Sequence, residues 1–328
     1  MTTKDRVLVV NSPDHMPNGG VRRPDLSKRR PASRLPNREV LAGFGLIIPS
    51  VFVLLAVSLY PVLRTLWMSF RNTSPILQQD QFTGWQNFTR LLTDAGFWNA
   101  WKNTITFTGI STLLETLLGL GIALVLHQTF RGRGFVRAMV LIPWAIPTVV
   151  TSRMFGYLFD GQTGLVNYLL MKFDLVRSPI NFIGNPHTAM GTIILADVWK
   201  TTPFMMLLIL AALQTIPTEL RESAALDGAT AWRYFWSVRM PLIMPALLIA
   251  ALLRTLDAFR IFDLPYVLTG GGPANSTEVM STLAYKTLFS GSEYGYGSVM
   301  ATAMFVTEVV IALGFAYFLA RRFRAVGA

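Results

Sequence analysis

The chain of 328 residues has no cysteine, three histidines and only 18 acidic residues against 29 basic ones. Without thiols it can form neither a disulfide framework nor a thiolate metal site, and cysteine usage says nothing of its redox compartment. His15, His127 and His187 lie far apart with no ligand spacing, so no metal is expected. No Gly-x-x-x-x-Gly-Lys-Ser/Thr occurs, and the triple glycine at 270–272 runs into Pro273 and Ala274, so a phosphate-cradling loop of that kind is excluded. The triple glycine reads instead as a flexible connector. Neither a His cluster nor a nucleophile elbow supports an enzyme. Charge itself is scarce, at 14% of residues, where soluble chains carry about a quarter.

Apolar residues take that place, at 52%. Six runs are long enough to cross about 30 Å of hydrocarbon, near 41–63, 104–126, 136–159, 188–213, 242–264 and 298–320. The class is all-α integral membrane. Pro143, Pro147, Pro203 and Pro245 fall in the third, fourth and fifth runs, which are expected to be kinked and internal. Residues 1–38, rich in Pro, Asn and Ser and carrying Arg22, Arg23, Lys28, Arg29, Arg30, Arg34 and Arg38, read as a disordered basic tail. They are too long and polar for a signal-peptide n-region, so the first run stays as an anchor of the membrane domain, 39–328.

In a six-span chain this tail lies on the same side as Arg131 and Arg133 of the 127–135 loop and Arg321, Arg322 and Arg324 at the C-terminus. Basic residues gather on the cytoplasmic side, so both termini and the 214–241 loop are expected there, in a multi-pass protein of the cytoplasmic membrane. Anionic lipid accounts for the net charge of +11, and no nucleic-acid-reading element is present.

Inside the 214–241 loop, residues 218–235 read as a short polar helix: Thr218 as cap, Glu219 and Glu222 in the first turn, Arg221 and Arg233 after them. Ser223, Ala224, Ala225, Gly228 and Ala229 leave a low surface, and Gly228 permits a sharp turn. Such a segment either docks a partner or lies on the membrane as an amphipathic connector.

Six charges fall deep within the spans, roughly 13–23 Å from their ends: Glu115, Asp197, Lys200, Arg254, Asp257 and Glu308. Asp197 and Lys200 are spaced i, i+3, as are Arg254, Asp257, Arg260 and Asp263, so each acid has a base on its own helix. They either line a pathway or neutralise one another and hold helices in register. On a straight helix Arg254 and Asp263 face opposite ways, so the four cannot line one cavity.

Glu222-Ser223-Ala224-Ala225-Leu226-Asp227-Gly228-Ala229, with Phe235, Pro241 and Pro245 behind it, resembles the EAA motif of binding-protein-dependent ABC importer permeases. Further segments resemble the sugar branch of that family, with its maltose-type and glycerol-phosphate-type members. They are Tyr60-Pro61, Ser69-Phe70, Gly84-Trp85-Gln86-Asn87-Phe88, Phe259-Arg260-x-Phe262-Asp263 and Thr269-Gly270-Gly271-Gly272-Pro273. The likeness covers about 40–325 and is nearest to the first permease subunits of trehalose- or maltose-like disaccharide importers. Ser223 stands where the family often has alanine, and the large inserted outer domain of enteric maltose permeases is absent.

The resemblance implies a type I ABC importer permease fold and a sugar translocation pathway. It makes Glu222, Ser223, Ala224, Asp227, Gly228 and Ala229 the ATPase-coupling surface. ATP and Mg would be bound by two partner ATP-binding subunits, with no cofactor in this chain. A second permease subunit would complete a heterodimer, and an extracytoplasmic sugar-binding protein or lipoprotein would deliver substrate. Candidate pathway residues are Asp257 first, then Arg260, Asp263, Asp197, Lys200 and Glu115, with Trp144, Trp199 and Tyr266 as aromatic surfaces for sugar faces; Tyr157 and Phe259 are further aromatic candidates. Arg260 and Asp263 also suit an outer gate or a binding-protein contact, and any one aromatic suits membrane packing. The rival class is an ion-gradient transporter with Glu115, Asp197 or Glu308 as proton carrier.

Overall fold

The computed structural model describes residues 37–74, 76 and 78–326. The basic tail therefore lies outside the described residues as far as residue 36, while Asn37 and Arg38, assigned above to the tail, already belong to the first helix. The chain divides into two units at Ser58/Leu59. The first contributes α1 (Asn37–Leu54), with Pro49 inside it. A π-helical stretch, Leu55–Leu59, leads on to α2 (Tyr60–Ser69).

The second unit continues with a small antiparallel hairpin, β1 (Arg71–Ser74) and β2 (Gln79–Phe82), the one departure from an all-helical chain among the described residues. Arg71 pairs with Asp80 at 2.7 Å across it, and this bond with that from Thr73 holds the Asp80 carboxyl below the usual carboxylate range. Then follow α3 (Gln86–Thr93), α4 (Ala95–His127), α5 (Arg133–Ala145), α6 (Thr148–Leu158), α7 (Leu165–Lys172) and α8 (Ala189–Gln214). After these come α9 (Thr218–Leu226), α10 (Ala231–Tyr234), a π-helical turn at Phe235–Arg239 and α11 (Met240–Phe259). The chain ends with α12 (Asp263–Leu268), α13 (Met280–Tyr285), a π-helical turn at Lys286–Ser290 and α14 (Tyr294–Val326).

Gly45–Ser69, Ala95–His127, Ala189–Gln214, Ala231–Leu268 and Tyr294–Arg321 are each long and apolar enough to cross a membrane. Arg133–Ala145 with Thr148–Leu158 supplies a sixth span if that pair counts as one, but it is bent by 92°. The kink expected in the third run is thus a break. Pro147 has no amide hydrogen to donate, and it drives Ile146 into extended backbone (φ −76°, ψ 132°), so α5 must stop before it. The third run also has no buried residue in α5, whereas two thirds of the α8 span is buried (67%). Pro203 and Pro245, by contrast, lie inside the uninterrupted helices α8 and α11, and of the three runs expected to be internal the fourth is the most buried, because burial depends on what packs alongside.

Hydropathy placed the start of α4 nine residues late. Its first turns mix apolar residues with Asn99, Lys102 and Asn103, and Asp94 caps them, its carboxylate accepting from the amides of Gly96 (2.7 Å) and Phe97 (3.3 Å). The triple-glycine segment is not a loose connector either. Asn99 and Asn103 donate to the Asn275 carbonyl at 2.8 and 3.2 Å, Lys286 reaches the Gly270 carbonyl at 2.7 Å, and the Thr269 and Thr277 hydroxyls meet at 2.7 Å.

Three apolar cores organise the second unit. One joins Ala123 and Leu126 of α4 to Met205, Met206 and Ile209 of α8 and Ile243 and Leu247 of α11. Another joins Phe107 of α4, Phe155 of α6, Ile193 and Val198 of α8 and Ala258 of α11. The third gathers Leu91, Phe97, Phe259, Met280 and Met300. Between the first two, the same three helices present a polar layer, with Glu115 on α4, Asp197 and Thr201 on α8 and Arg254 on α11.

The α4–α8 contact is close enough to require glycine. A Cβ on Gly119 would stand 2.9 Å from Met205 Cβ and 3.0 Å from the Met206 amide nitrogen, whereas one on Gly121 would meet nothing within 4 Å. Gly119→Leu is therefore expected to destabilise the protein by about 1–3 kcal/mol through overpacking, and Gly121→Leu to be tolerated. Thermal unfolding of the two variants in detergent checks this; equal melting temperatures would count against the close approach.

Candidate functional site

Arg254, on α11, has 2% of its side chain exposed, and four of its five N–H groups are engaged. Nε and Nη2 donate to the Glu115 carboxylate, the Nη2–Oε1 distance being 2.9 Å. Nη2 also donates to Asp197, and Nη1 to Asp257 at 3.1 Å. Thr201 Oγ1 lies 2.6 Å from both Glu115 Oε1 and the Asp197 carbonyl. One guanidinium thus ties α4, α8 and α11 together.

The pairing expected along each helix is largely replaced by pairing between helices. Asp197 turns to Arg254 instead of Lys200, and Lys200 has no carboxylate within 4.0 Å among the described residues. Arg260 faces Glu308 of α14 at 3.3 Å rather than Asp257 or Asp263. Only Arg254 and Asp257 keep the i, i+3 contact. Side chains at matching depth on adjacent helices lie as near as those one turn away, and a guanidinium with several donors satisfies several acids at once.

An open polar pocket of about 220 Å³ lies over this cluster, lined by Thr148, Asp197, Lys200, Thr201, Arg254, Asp257, Ala258, Arg260, Ile261, Phe262 and Asp263. Arg254, Asp257, Arg260 and Asp263 all reach it, contrary to the straight-helix argument. The helix does not run straight. It stops at Phe259, Arg260 (φ −91°, ψ 12°) and Phe262 (φ −130°, ψ −55°) leave helical geometry, and α12 restarts at Asp263. Asp257 lines the pocket with 70% of its side chain exposed, whereas Glu115, fully buried, stands behind Arg254 and Thr201.

The aromatic candidates separate. Trp144 stacks on Phe204 (6.2 Å) and Trp199 packs on Phe155 (5.6 Å), and neither is on the pocket wall. Tyr157 is 79% exposed and Phe259 is fully buried in the core. Tyr266 stacks on Phe262 at 5.0 Å, so it touches the site through a wall residue that the sequence reading passed over. Arg254 was also under-rated. Depth had already placed it among the six intramembrane charges; the signal that could have ranked it first is that it is an arginine level with acids on two other long apolar runs.

In the polar loop, α9 is entirely unburied. Pro217, not Thr218, occupies the cap position, and the helix expected over 218–235 ends at Leu226. Gly228 (φ +72°) closes it in a Schellman motif, with Gly228 N–H bonding the Ala225 carbonyl at 3.1 Å and Ala229 N–H the Ala224 carbonyl at 2.9 Å. Thr230 caps α10, which runs through the π-helical turn into α11. Thr218, Arg221, Ala224 and Ala225 share the α9 face that borders a cavity of about 680 Å³ beside the end of α4. Glu222, Ser223, Asp227 and Gly228 are exposed and off that wall. No group of three or more His, Asp or Glu that could hold a metal exists among the described residues.

Residues 115–325 match the family described as binding-protein-dependent transport system inner membrane component. The chain is 41% identical to the trehalose/maltose transport system permease protein MalF of Thermococcus litoralis over 89% of its own length and 97% of that protein's. It is also 41% identical to the trehalose transport system permease protein SugA of Mycobacterium tuberculosis, over 87% of this chain and 90% of the relative. Among solved structures it is similar to a chain of a bacterial alginate ABC transporter in complex with an alginate pentasaccharide-bound periplasmic protein. There the TM-score is 0.75 and the identity 25%, covering 87% of this chain and 96% of that one.

Arg254→Met is expected to lower stability by about 3–5 kcal/mol, since it strands two buried carboxylates. Arg254→Met combined with Glu115→Gln and Asp197→Asn should recover much of that loss. Asp257→Asn, at the exposed end of the cluster, should change stability by less than about 1 kcal/mol. Chemical denaturation in detergent reads all three, and an innocuous Arg254→Met would refute the tying role.

Proposed function

The chain belongs to the binding-protein-dependent transport system inner membrane component family, multi-pass proteins of the cytoplasmic membrane, and on that premise we propose that it is the permease subunit through which an ATP-driven importer passes a sugar. A disaccharide such as trehalose or maltose is the substrate this reading favours. The observation that carries it is the 41% identity, over nearly the whole length, to two permeases named for trehalose transport. The pocket supports it chemically, offering paired acids and bases as hydrogen-bond partners for hydroxyls and Phe262 as an apolar wall.

In this reading both termini and α9 are cytoplasmic. Two partner subunits bind and hydrolyse MgATP, a second permease completes the pathway, and an extracytoplasmic binding protein or lipoprotein delivers the sugar. The periplasmic protein bound to the similar alginate transporter supports that last assignment. Glu222, Ser223, Asp227 and Gly228 present the surface of α9 to an ATP-binding subunit, while Ala224 and Ala229 close the helix end behind it. Ala231 to Arg254 is continuous helix, about 35 Å long at 1.5 Å per residue. Movement of α9 is thereby delivered to Arg254 and the pocket. ATP binding supplies the differential affinity that moves the two-state equilibrium.

Asp257 accepts sugar hydroxyls, with Lys200 and Arg260 as donors. The ion-gradient alternative finds little support, since Glu115 and Asp197 are committed to Arg254 and Glu308 faces Arg260.

Reconstituted with its partners, the complex should take up labelled trehalose or maltose only with ATP and binding protein. Asp257→Ala should raise the half-saturating sugar concentration about tenfold or more, as loss of a hydrogen bond to a charged group does. Asp227→Arg should leave the subunit inserted but uncouple uptake from ATP hydrolysis. Uptake by the isolated chain under a proton gradient, without nucleotide, would overturn the reading.

A further inference from the structure

The cavity of about 680 Å³ behind α9 belongs to neither the pocket nor the exposed coupling surface. Its wall is formed by His127, Gln128 and Thr129 at the end of α4, by Thr218, Arg221, Ala224 and Ala225 of α9, and by Ala229, Ala231, Tyr234 and Arg239 beyond it. A second, smaller cavity of about 50 Å³ shares His127, Thr218, Arg221, Tyr234 and Arg239. No acid lines either one, and neither Arg221 nor Arg239 has a carboxylate within 4.0 Å among the described residues. Arg239 lies over the Tyr234 ring at 5.1 Å, which holds its guanidinium at the wall. Hydroxyls of Thr129, Thr218 and Tyr234 and the Gln128 amide complete a set rich in donors.

The setting identifies the anion. The cavity begins where the α4 span ends, and Trp232 (72% exposed) and Trp236 (49%) stand beside it in a cluster with Phe235. Exposed tryptophan at the end of a span marks headgroup level. Basic pockets between membrane helices at that level take anionic headgroups. The chain's own N-terminal tail, with six arginines and one lysine between residues 22 and 38, has the wrong charge to fill it.

We propose that this cavity binds the phosphate of an anionic phospholipid headgroup between Arg221 of α9 and Arg239 at the foot of α11. A phosphate held by both arginines spans the Gly228 turn and stiffens the link between α9 and α11. The cytoplasmic placement rests on the function proposed above, but the lipid count below requires no transport, so the two readings fail separately.

The test is native mass spectrometry of the complete complex, released from nanodiscs of mixed phosphatidylglycerol and phosphatidylcholine. Wild type should retain phosphatidylglycerol preferentially. Arg221→Gln with Arg239→Gln should reduce that preference about thirtyfold, the factor two arginines near an anionic surface supply. Arg221→Lys with Arg239→Lys should preserve it, which separates charge from misfolding. Equal retention of the two lipids, or an unchanged preference in the double glutamine variant, overturns the proposal. So does displacement of the lipid by inorganic phosphate, which assigns the cavity to a soluble anion. Loss of the ATP-binding subunits from the glutamine variant with an unchanged lipid count assigns it to a partner's acidic side chain and overturns it as well.

Discussion

The structure depends on one buried arginine meeting several carboxylates between three helices. Arg254 holds Glu115 of α4, Asp197 of α8 and Asp257 of its own helix. Arg254, Glu115 and Asp197 would each be costly to bury alone, and together they are tolerable only at one relative placement of three helices. Apolar cores above and below the layer bring the helices together, but apolar contacts are non-directional. The ion cluster sets the register in which they meet, and Gly119 lets α4 and α8 come close enough for Thr201 to join it.

From that constraint follows the shape of the pocket. Because Arg254 is turned toward α4 and α8, the exposed end of the cluster, Asp257, is left facing open space. The break after Phe259 then folds Arg260, Phe262 and Asp263 back over the same space. The site is therefore graded, with structural charges at its floor and solvated charges at its rim. This division separates the residues that hold the helices together from those that face open space. The same run of helix reaches back to Ala231, just past the Gly228 turn, so Arg254 and Asp257 are joined to the end of the polar loop by continuous helix.

Much of the fold was legible because its signals are local. Apolar run length located the five long apolar helices, Gly228 announced the turn it makes, and proline marked Ile146-Pro147 as a bend. Where local signals misled, a neighbour outside the window had intervened. Asp94 started α4 ahead of Asn99, Lys102 and Asn103, which lower the hydropathy there, and asparagines from α4 pinned a glycine-rich segment that composition reads as loose. The pocket failed to emerge from helical wheels because wheels assume an unbroken helix. Arg254 failed to emerge as the hub because spacing rules see only partners on the same segment.

By itself, then, the sequence determined the solvent this protein lives in, the order of its long apolar helices, and the motif that allies it with importer permeases. Each of these is written in contiguous residues and needs no partner to be read. Only the tertiary structure decided which charge neutralises which, which residues share the pocket, and which face of α9 is turned to a basic cavity instead of outward. Those outcomes are pairings between segments as many as 139 residues apart. Coulomb attraction and hydrogen bonding act over a few ångströms of space, and helix packing alone determines which distant side chains come within that reach.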